Sequence, residues 1–303
     1  MPRQCVLVAG AHLSPFRRER SCVDEHGVVQ PICMVHPESV STHLVNKVIA
    51  MLAPIDPFVH VRELKDKIVD PGQSSFREID IAAMDKKMRA VGAPQDWRHS
   101  DDFRETSRKQ TLEGRNDRDL WLFAYGSLMW DPGFDFVEVR KATTTGYHRS
   151  FCVKSELGRG APAKPGLMAA LDKGGECSGL AFRIASASLD EQTRRIWRRE
   201  MLLHAYRPEF LRISTPQGEV EGLAFVMDRS AKCYMPRLSI EETARCMATA
   251  RGLFGTNLQY LDDIIEHFAI LGISDQRLLA LGEATQRMRG MQHNESGFSL
   301  GRN

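Results

Sequence analysis

The sequence lacks the cysteine spacing that marks zinc sites and redox couples. Its seven cysteines are odd in number and scattered, and no two form a Cys-x-x-Cys pair. His36, His43 and His60 are not at metal-ligand spacing either. These absences argue against a structural zinc site and a disulfide framework. We therefore predict reduced thiols, no metal, no cofactor and a cytoplasmic location.

The sequence also lacks a strong net charge and a long hydrophobic run. The 303 residues carry a formal net charge of only +2, with 26% charged and 42% hydrophobic residues. A balanced charge gives no overall electrostatic case for nucleic acid. The short apolar run at residues 5–11 is too brief for a signal peptide, and no stretch approaches the length of a membrane span. We predict a globular protein that binds neither nucleic acid nor membrane.

Several nucleophile and nucleotide motifs are absent as well. Ser127 stands in Tyr-Gly-Ser-Leu, which lacks the second glycine of the Gly-x-Ser-x-Gly elbow. The Gly/Pro-rich loop at 159–166 has neither Walker spacing nor a dinucleotide fingerprint. This loop either presents Arg159 to an acidic ligand or simply connects two strands.

Before residue 119, the sequence predicts a small helical appendage and a linker. Residues 1–35 have no sustained periodicity, and we expect them to be disordered. Apolar residues at helical spacing predict helices over 39–52, 57–68 and 76–91, within an appendage at 36–97. Helices this short need an apolar surface, so they either dock on the rest of the protein or bind a protein partner. The charged stretch 98–118 predicts a linker.

From residue 119 to residue 290, the composition is that of a packed α+β domain. Two hairpin signals, Asp172-Lys173-Gly174-Gly175 and Pro216-Gln217-Gly218, join pairs of short strands and favour a closed or nearly closed antiparallel barrel. Helices are expected at 189–205, 239–254, 257–271 and 274–288, and a flexible tail at 291–303. The six strands are predicted at 120–124, 146–153, 167–171, 178–184, 210–214 and 220–227.

A loop after the first of these strands is the first candidate binding site. The apolar run 120–124 leads into Tyr125, Gly126, Ser127 and Leu128, where glycine allows a tight turn. Such a loop can direct successive backbone N–H groups toward one point and so bind a carboxylate. The alternative is an ordinary turn after a buried strand.

Glu200 is the residue that fits its position least well. On a helix at 189–205 it falls within the apolar stripe, and of the nearby arginines only Arg199 lies close enough in direction to flank it. A carboxylate on such a face must be paired or hydrogen-bonded, or its pKa rises. Glu200 is therefore either a buried ion-pair partner of Arg149 or Arg159, or a general acid/base.

A series of motifs in this region resembles the ChaC-type γ-glutamylcyclotransferases. The match extends over about 119–288, and the motifs occur in the family's order. They are Phe-Ala-Tyr-Gly-Ser-Leu-Met-Trp (123–130), Gly-Tyr-His-Arg-Ser-Phe-Cys (146–152), Gly-Arg-Gly (158–160), Pro-Gly (165–166), Trp-Arg-Arg-Glu-Met (197–201) with Tyr206, and Gly-Thr-Asn-Leu-Gln-Tyr-Leu (255–261).

The resemblance implies a small mixed or antiparallel barrel flanked by helices, and a glutathione-specific lyase that releases 5-oxoproline and cysteinylglycine. Residues 125–128 match the family's substrate-binding loop, and Glu200 matches its catalytic glutamate. We also expect Arg149, Arg159 and Tyr206 to contact the substrate, although Tyr206 is equally well explained as a core aromatic residue. Ala161 and Leu167 depart from the family's pattern and bear on substrate preference.

Two other functions remain open at this point. The enzyme could act on another γ-glutamyl compound, such as a γ-glutamyl-amine, because the same loop would bind the glutamyl end. A non-enzymatic regulator of cation transport, binding a partner through 36–97, is the second alternative. A carboxylate on an apolar stripe favours an enzyme over a binding module.

Overall fold

The structure, a computed structural model, describes residues 22–23, 29–30, 56–236 and 238–299. In the unit formed by Met1–Pro54, the strands Cys22–Val23 and Val29–Gln30 pair antiparallel. The expectations of disorder at 1–35 and of a helix at 39–52 otherwise lie outside the described residues. All further features belong to the second unit, Ile55–Asn303.

A closed barrel of five strands forms the centre of this unit. The strands are β1 (Leu120–Ala124), β2 (Glu138–Ser155), β3 (Gly166–Ile184), β4 (Tyr206–Thr215) and β5 (Gly218–Met227). Their order is β1-β3-β2-β4-β5, and β5 returns to β1 in a parallel pairing at Trp121 and Gly222. The barrel is therefore mixed, with antiparallel pairs between β1 and β3, β3 and β2, β2 and β4, and β4 and β5.

One of the two predicted hairpins was wrong. The predicted strands at 167–171 and 178–184 belong to the single strand β3, which gives five strands where six were expected. Gly174 and Gly175 have φ values of 102° and 75°, and here the β2–β3 register shifts between Thr145 and Tyr147. The glycines thus form an irregularity within a continuous ladder, because β2 continues to pair with β3 on both sides of it.

The second predicted hairpin is present. Thr215 pairs with Gly218, so Pro216 and Gln217 form a two-residue loop between β4 and β5. Gly218 has a φ of 120°, which is a backbone conformation that favours glycine.

Six α-helices occur in the described part of this unit. They are α1 (Ile81–Ala90), α2 (Asp101–Thr111), α3 (Leu189–Glu200), α4 (Ile240–Thr249), α5 (Asn257–Leu271) and α6 (Gln276–Ser299).

Several predicted helix boundaries were wrong. The helix expected at 57–68 is reduced to turns and a 3-10 segment, Arg62–Leu64. The helix α1 begins later than predicted because Asp80 caps it by accepting a hydrogen bond from the backbone N–H of Ala83. At the other end of the chain, α6 continues to Ser299 through most of the predicted flexible tail.

The prediction of a linker at 98–118 was also wrong, because these residues contain α2. The hydroxyl of Ser100 caps the helix by accepting from the N–H of Phe103. Although α2 has few apolar residues, it buries Arg108, whose guanidinium donates to Thr193 of α3 (3.0 Å) and contacts Asp190 (2.9 Å). Polar pairing holds this helix in place where the hydrophobic pattern indicated none.

The main hydrophobic core lies between the barrel and the helices. Its members include Val61, Leu64 and Ile68, which precede the barrel in sequence. Residues 56–97 therefore pack on the barrel, which is the docking alternative considered for the appendage. No helix in the described residues is long and apolar enough to cross a membrane.

Candidate active site

A cavity of about 200 Å³ lies where the loop after β1, the end of α3 and the start of β4 meet. Seven of the eight predicted site residues line it: the four residues at 125–128, Arg159, Glu200 and Tyr206. The other lining residues come from many parts of the chain: Phe76, Ile79, Met84, Phe123, Trp130, Met168, Ala169, Arg199, Leu202, Leu203, Phe225, Phe254 and Tyr260.

Glu200 is the last residue of α3, and its side chain is only 16% exposed. The nearest cation is its neighbour Arg199, with 3.2 Å between the guanidinium Nε and the carboxylate Oε1. Burial raises the pKa of Glu200 above its usual range, and the opposing attraction of Arg199 is the smaller effect. The predicted alternative of an ion pair with Arg149 or Arg159 was wrong, because the adjacent Arg199 occupies that place.

Arg199 also connects Glu200 to the loop after β1. Its guanidinium donates to the hydroxyl of Ser127 (2.9 Å) and to the backbone carbonyl of Asp131. The ring of Phe76 covers its other face, with its centroid 4.0 Å from the guanidinium carbon. The buried guanidinium of Arg199 thus fixes the position of Glu200 relative to the loop.

The loop itself is a single 3-10 turn, Ser127–Met129, that follows β1. The first N–H groups of such a turn have no partner within the turn. Gly126, Ser127 and Leu128 all line the cavity, so this turn forms part of its wall. A side chain at Gly126 would place its Cβ 3.4 Å from the hydroxyl of Tyr260, which limits what this position accommodates.

Arg149 does not line the cavity, so the structure does not place it where substrate binding was expected. Its Nε donates to the carbonyl of Tyr125 (2.8 Å), and another nitrogen donates to the carbonyl of Ser178 (2.6 Å). The remaining nitrogen contacts Asp275 at 3.2 Å. Each nitrogen of the Arg149 guanidinium therefore has a protein partner, and the bond to Tyr125 supports the loop from outside the cavity.

Arg159 does line the cavity. Its guanidinium lies 5.3 Å from the ring centroid of Tyr260, and it donates to the carbonyl of Thr256 at 3.4 Å. Burial lowers the pKa of Arg159, and the attraction of Tyr260 and Asp263 opposes this only in part. A half-buried arginine in this state is suited to pair with an anionic ligand.

Tyr125, Tyr206 and Tyr260 line the same cavity as Glu200. Tyr206 donates to the carbonyl of Ala169 at 3.2 Å, so its hydroxyl is satisfied although the residue lines the cavity. Tyr125 donates to the carbonyl of Phe225 at 2.7 Å. Burial raises the pKa of both phenols well above the usual value.

Sequence reasoning missed several lining residues. Tyr260, which accepts a hydrogen bond from the N–H of Ala169 (3.2 Å), was visible only as part of the Gly-Thr-Asn-Leu-Gln-Tyr-Leu motif. Phe76, Ile79 and Met84 had no signal beyond apolar periodicity, which is typical of any core helix.

The chemistry available in this cavity is that of a proton acceptor next to anion-binding groups. A buried carboxylate whose pKa is raised can take up and return a proton near neutral pH. Loop amides and Arg159 can hold carboxylates without a metal. Among the residues that the structure describes, no three His, Cys, Asp or Glu side chains are grouped to hold a metal ion.

Comparison with known proteins agrees with this fold. The family model described as ChaC-like protein matches residues 120–288. The glutathione-specific γ-glutamylcyclotransferase of Escherichia coli (strain K12) is 36% identical over 177 residues, which are 58% of this chain and 77% of that protein. The human glutathione-specific γ-glutamylcyclotransferase 1 is 29% identical over 184 residues, 57% of this chain and 83% of that protein.

A solved structure shares the architecture. The crystal structure of a selenomethionine-labelled γ-glutamyl cyclotransferase specific to glutathione from yeast has a TM-score of 0.52 and 19% sequence identity. The similarity covers 57% of this chain and 97% of that one. The closed barrel with its flanking helices therefore has the γ-glutamylcyclotransferase fold. The chain belongs to the ChaC-like protein family, and the matched residues contain the loop at 125–128 and Glu200.

Proposed function

We propose that the protein is a glutathione-specific γ-glutamylcyclotransferase that converts glutathione into 5-oxoproline and cysteinylglycine. Relatives from Escherichia coli and human carry this activity in their names. The observation that carries the proposal is Glu200, a largely buried carboxylate with a raised pKa that shares one cavity with the loop at 125–128.

The nucleophile of this reaction belongs to the substrate. The α-amine of the γ-glutamyl group attacks its own γ-carbonyl carbon, and the new C–N bond closes a five-membered lactam. The amide bond to cysteine then breaks, and the cysteinyl nitrogen leaves as an amine. No serine or cysteine nucleophile is needed, which agrees with the absence of a serine hydrolase elbow. Holding the reacting atoms at ~3 to 3.5 Å contributes several kcal/mol to lowering the barrier.

Glu200 manages the protons of this sequence. Its carboxylate accepts a proton from the substrate ammonium, so that the amine can attack. It then delivers that proton to the departing nitrogen, and the second proton, which the ring nitrogen loses as the lactam forms, goes to the released amine, which leaves as an ammonium. Glu200 is then ionised for the next cycle. General acid/base catalysis of this kind contributes about 10² to 10⁴-fold to the rate. The raised pKa suits both steps because it brings the carboxyl closer to neutral pH.

The other lining groups bind and orient the substrate. The backbone amides at 126–128 hold the α-carboxylate of the glutamyl end or stabilise the oxyanion that develops on the γ-carbonyl. Arg159 pairs with the carboxylate of the terminal glycine, since this half-buried cation lines the cavity. Tyr206 shapes the pocket between them.

The proposal includes a cytoplasmic location. Four cysteines in the described residues, Cys152, Cys177, Cys233 and Cys246, are free thiols. Free thiols suit a reducing compartment, where glutathione is also kept reduced.

The test is turnover of reduced glutathione by purified protein, with 5-oxoproline and cysteinylglycine measured by mass spectrometry. We expect wild type to form both products in equal amounts and Glu200→Gln, which keeps the side-chain shape, to be at least ~10²-fold slower. Glu219→Gln serves as the matched control because Glu219 is exposed on β5.

Retained turnover in Glu200→Gln would remove Glu200 from the mechanism. An inactive but folded wild type would direct attention to other γ-glutamyl compounds, among them γ-glutamyl-amines, and then to the regulatory alternative.

A further inference from the structure

Three residues of the cavity come from a part of the chain that the family model does not match. The matched region begins at residue 120, whereas Phe76, Ile79 and Met84 line the same cavity as Glu200. We call these three residues the apolar wall. Their presence means that the cavity is shaped partly by the segment preceding the family domain.

The apolar wall packs directly on the chain that follows Glu200. Ile79 is buried in a small cluster with Ile81 and Leu202, against which Phe76 and Met84 also pack. Leu202 itself lines the cavity and is only two residues beyond Glu200. The apolar wall is thus in contact with the turn that connects α3 to β4 at the active site.

Two ion pairs anchor the stretch of backbone between Phe76 and Ile79. Arg77 makes a two-pronged contact with Asp135, at 2.6 and 2.9 Å. Glu78 lies 3.1 Å from Arg195 of α3. Two-pronged arginine–carboxylate pairs fix orientation as well as position, and the contact between Glu78 and Arg195 ties the same stretch to α3.

The polar and apolar sides of the cavity would bind different parts of a ligand. Arg159 and the loop at 125–128 supply the anion-binding side. The apolar wall, with Leu203, supplies a side without charged side chains of its own, and the guanidinium of Arg199 that packs on Phe76 is already bonded to Ser127, Asp131 and Glu200. A charged side chain pressed against this surface would lose water without gaining a hydrogen bond, and a bulky one would overfill a cavity of about 200 Å³.

We infer that the apolar wall is a specificity element, which contacts the residue next to the scissile amide and selects a small, uncharged side chain there. This inference rests on the proposed function, and it adds that the selection for cysteine depends on residues outside the family domain. Met84 is the most informative member because it is only half-buried and can be changed with little risk to folding.

The experiment compares kcat/KM for three tripeptides that differ only at the central residue: glutathione, γ-glutamyl-leucyl-glycine and γ-glutamyl-lysyl-glycine. Met84→Ala enlarges the site, so the leucine-to-cysteine ratio of kcat/KM should rise about 10-fold, as a change of this size in an apolar pocket produces. Met84→Glu should lower kcat/KM for glutathione at least about 10-fold and raise the lysine-to-cysteine ratio by a similar factor. Val91→Ala is the control, because Met84 lies on α1 and Val91 is the exposed residue that directly follows this helix.

The outcomes separate this inference from the proposed function. If wild type turns over glutathione but both ratios stay unchanged in variants that remain folded by circular dichroism, the apolar wall does not select the substrate. If wild type forms no 5-oxoproline from glutathione, the proposed function fails and the inference fails with it. A rise in the lysine-to-cysteine ratio of kcat/KM for Met84→Glu would support the inference, since a purely structural defect lowers kcat/KM for all three substrates together.

Discussion

At the scale of single residues, Glu200 shows how a local conflict points to function. Its place on an apolar stripe raised two possibilities, an ion pair or a general base. The structure shows the ion pair, with Arg199 3.2 Å from the carboxylate, and burial still raises the pKa of Glu200, as a general base near neutral pH requires. One buried cation beside the carboxylate does not fully offset the loss of water around it. An ion pair and a catalytic role are therefore compatible here.

The raised pKa leads to a pH prediction. A general base acts in its ionised form, so activity is present above the pKa of Glu200 and is lost as pH falls through it. Because burial raises this pKa above the ordinary value of 4.5, the acid limb of kcat/KM should lie above pH 4.5. Initial rates between pH 4 and pH 8 at low glutathione, with stability monitored over the same range, would measure it. Full activity in folded protein at pH 4.5 would contradict the assignment.

At the scale of secondary-structure elements, α2 was predicted as a linker because its composition is highly charged. The helix forms because Ser100 caps its start and because the buried Arg108 donates a hydrogen bond to Thr193 and pairs with Asp190 on α3. Neither partner is visible in the hydrophobic pattern, which registers only apolar faces. A helix held by buried arginine pairs thus resembles a linker when its sequence is considered alone.

The cap of α2 gives a stability prediction. Ser100→Ala removes the hydroxyl that accepts from the N–H of Phe103, and it should lower the free energy of unfolding by about 1 kcal/mol. Urea denaturation followed by circular dichroism would measure the change. Asp117→Ala is the control, because that side chain is 88% exposed beyond the end of the helix, and it should change stability by less than ~0.5 kcal/mol. Equal stability of Ser100→Ala and wild type would argue against an ordered α2.

At the scale of the whole molecule, residues 56–119, which precede the family domain, belong to the same packed unit as the barrel. Val61 and Leu64 are fully buried, and Leu112 at the end of α2 is 2% exposed. All three belong to the main core together with barrel residues. Truncating one such side chain to alanine costs about 2 to 5 kcal/mol, whereas a domain is stable by only about 5 to 15 kcal/mol in total. The boundary predicted at residue 119 therefore cuts through the core.

Shortened chains provide the test at this scale. A chain beginning at residue 56 keeps the described core of the second unit, so it should retain the Tm of the full protein within a few degrees. A chain beginning at residue 119 loses Val61, Leu64 and Leu112, and it should aggregate or show no cooperative unfolding. Differential scanning calorimetry of both would decide. Cooperative unfolding of the shorter chain at the wild-type Tm would show that residues 56–118 are dispensable for folding.

The sequence by itself determined the features that depend on local pattern and on motifs. The loop at 125–128, the position of Glu200 on its helix, the Pro216-Gln217 turn and the α+β class all follow from spacing between near neighbours in the chain. The resemblance to the family added the reaction and the barrel. These features are visible early because turn chemistry and helical periodicity act over a few residues.

Only the tertiary structure decided which distant groups meet. It joined two predicted strands into β3, turned Arg149 away from the cavity to support Tyr125, and placed residues 76–84 against the turn that follows Glu200. Each of these outcomes depends on pairing or packing between residues that are far apart in sequence. Such contacts are set by the closure of the barrel and by the competition for buried partners, and neither leaves a periodic signal in the chain.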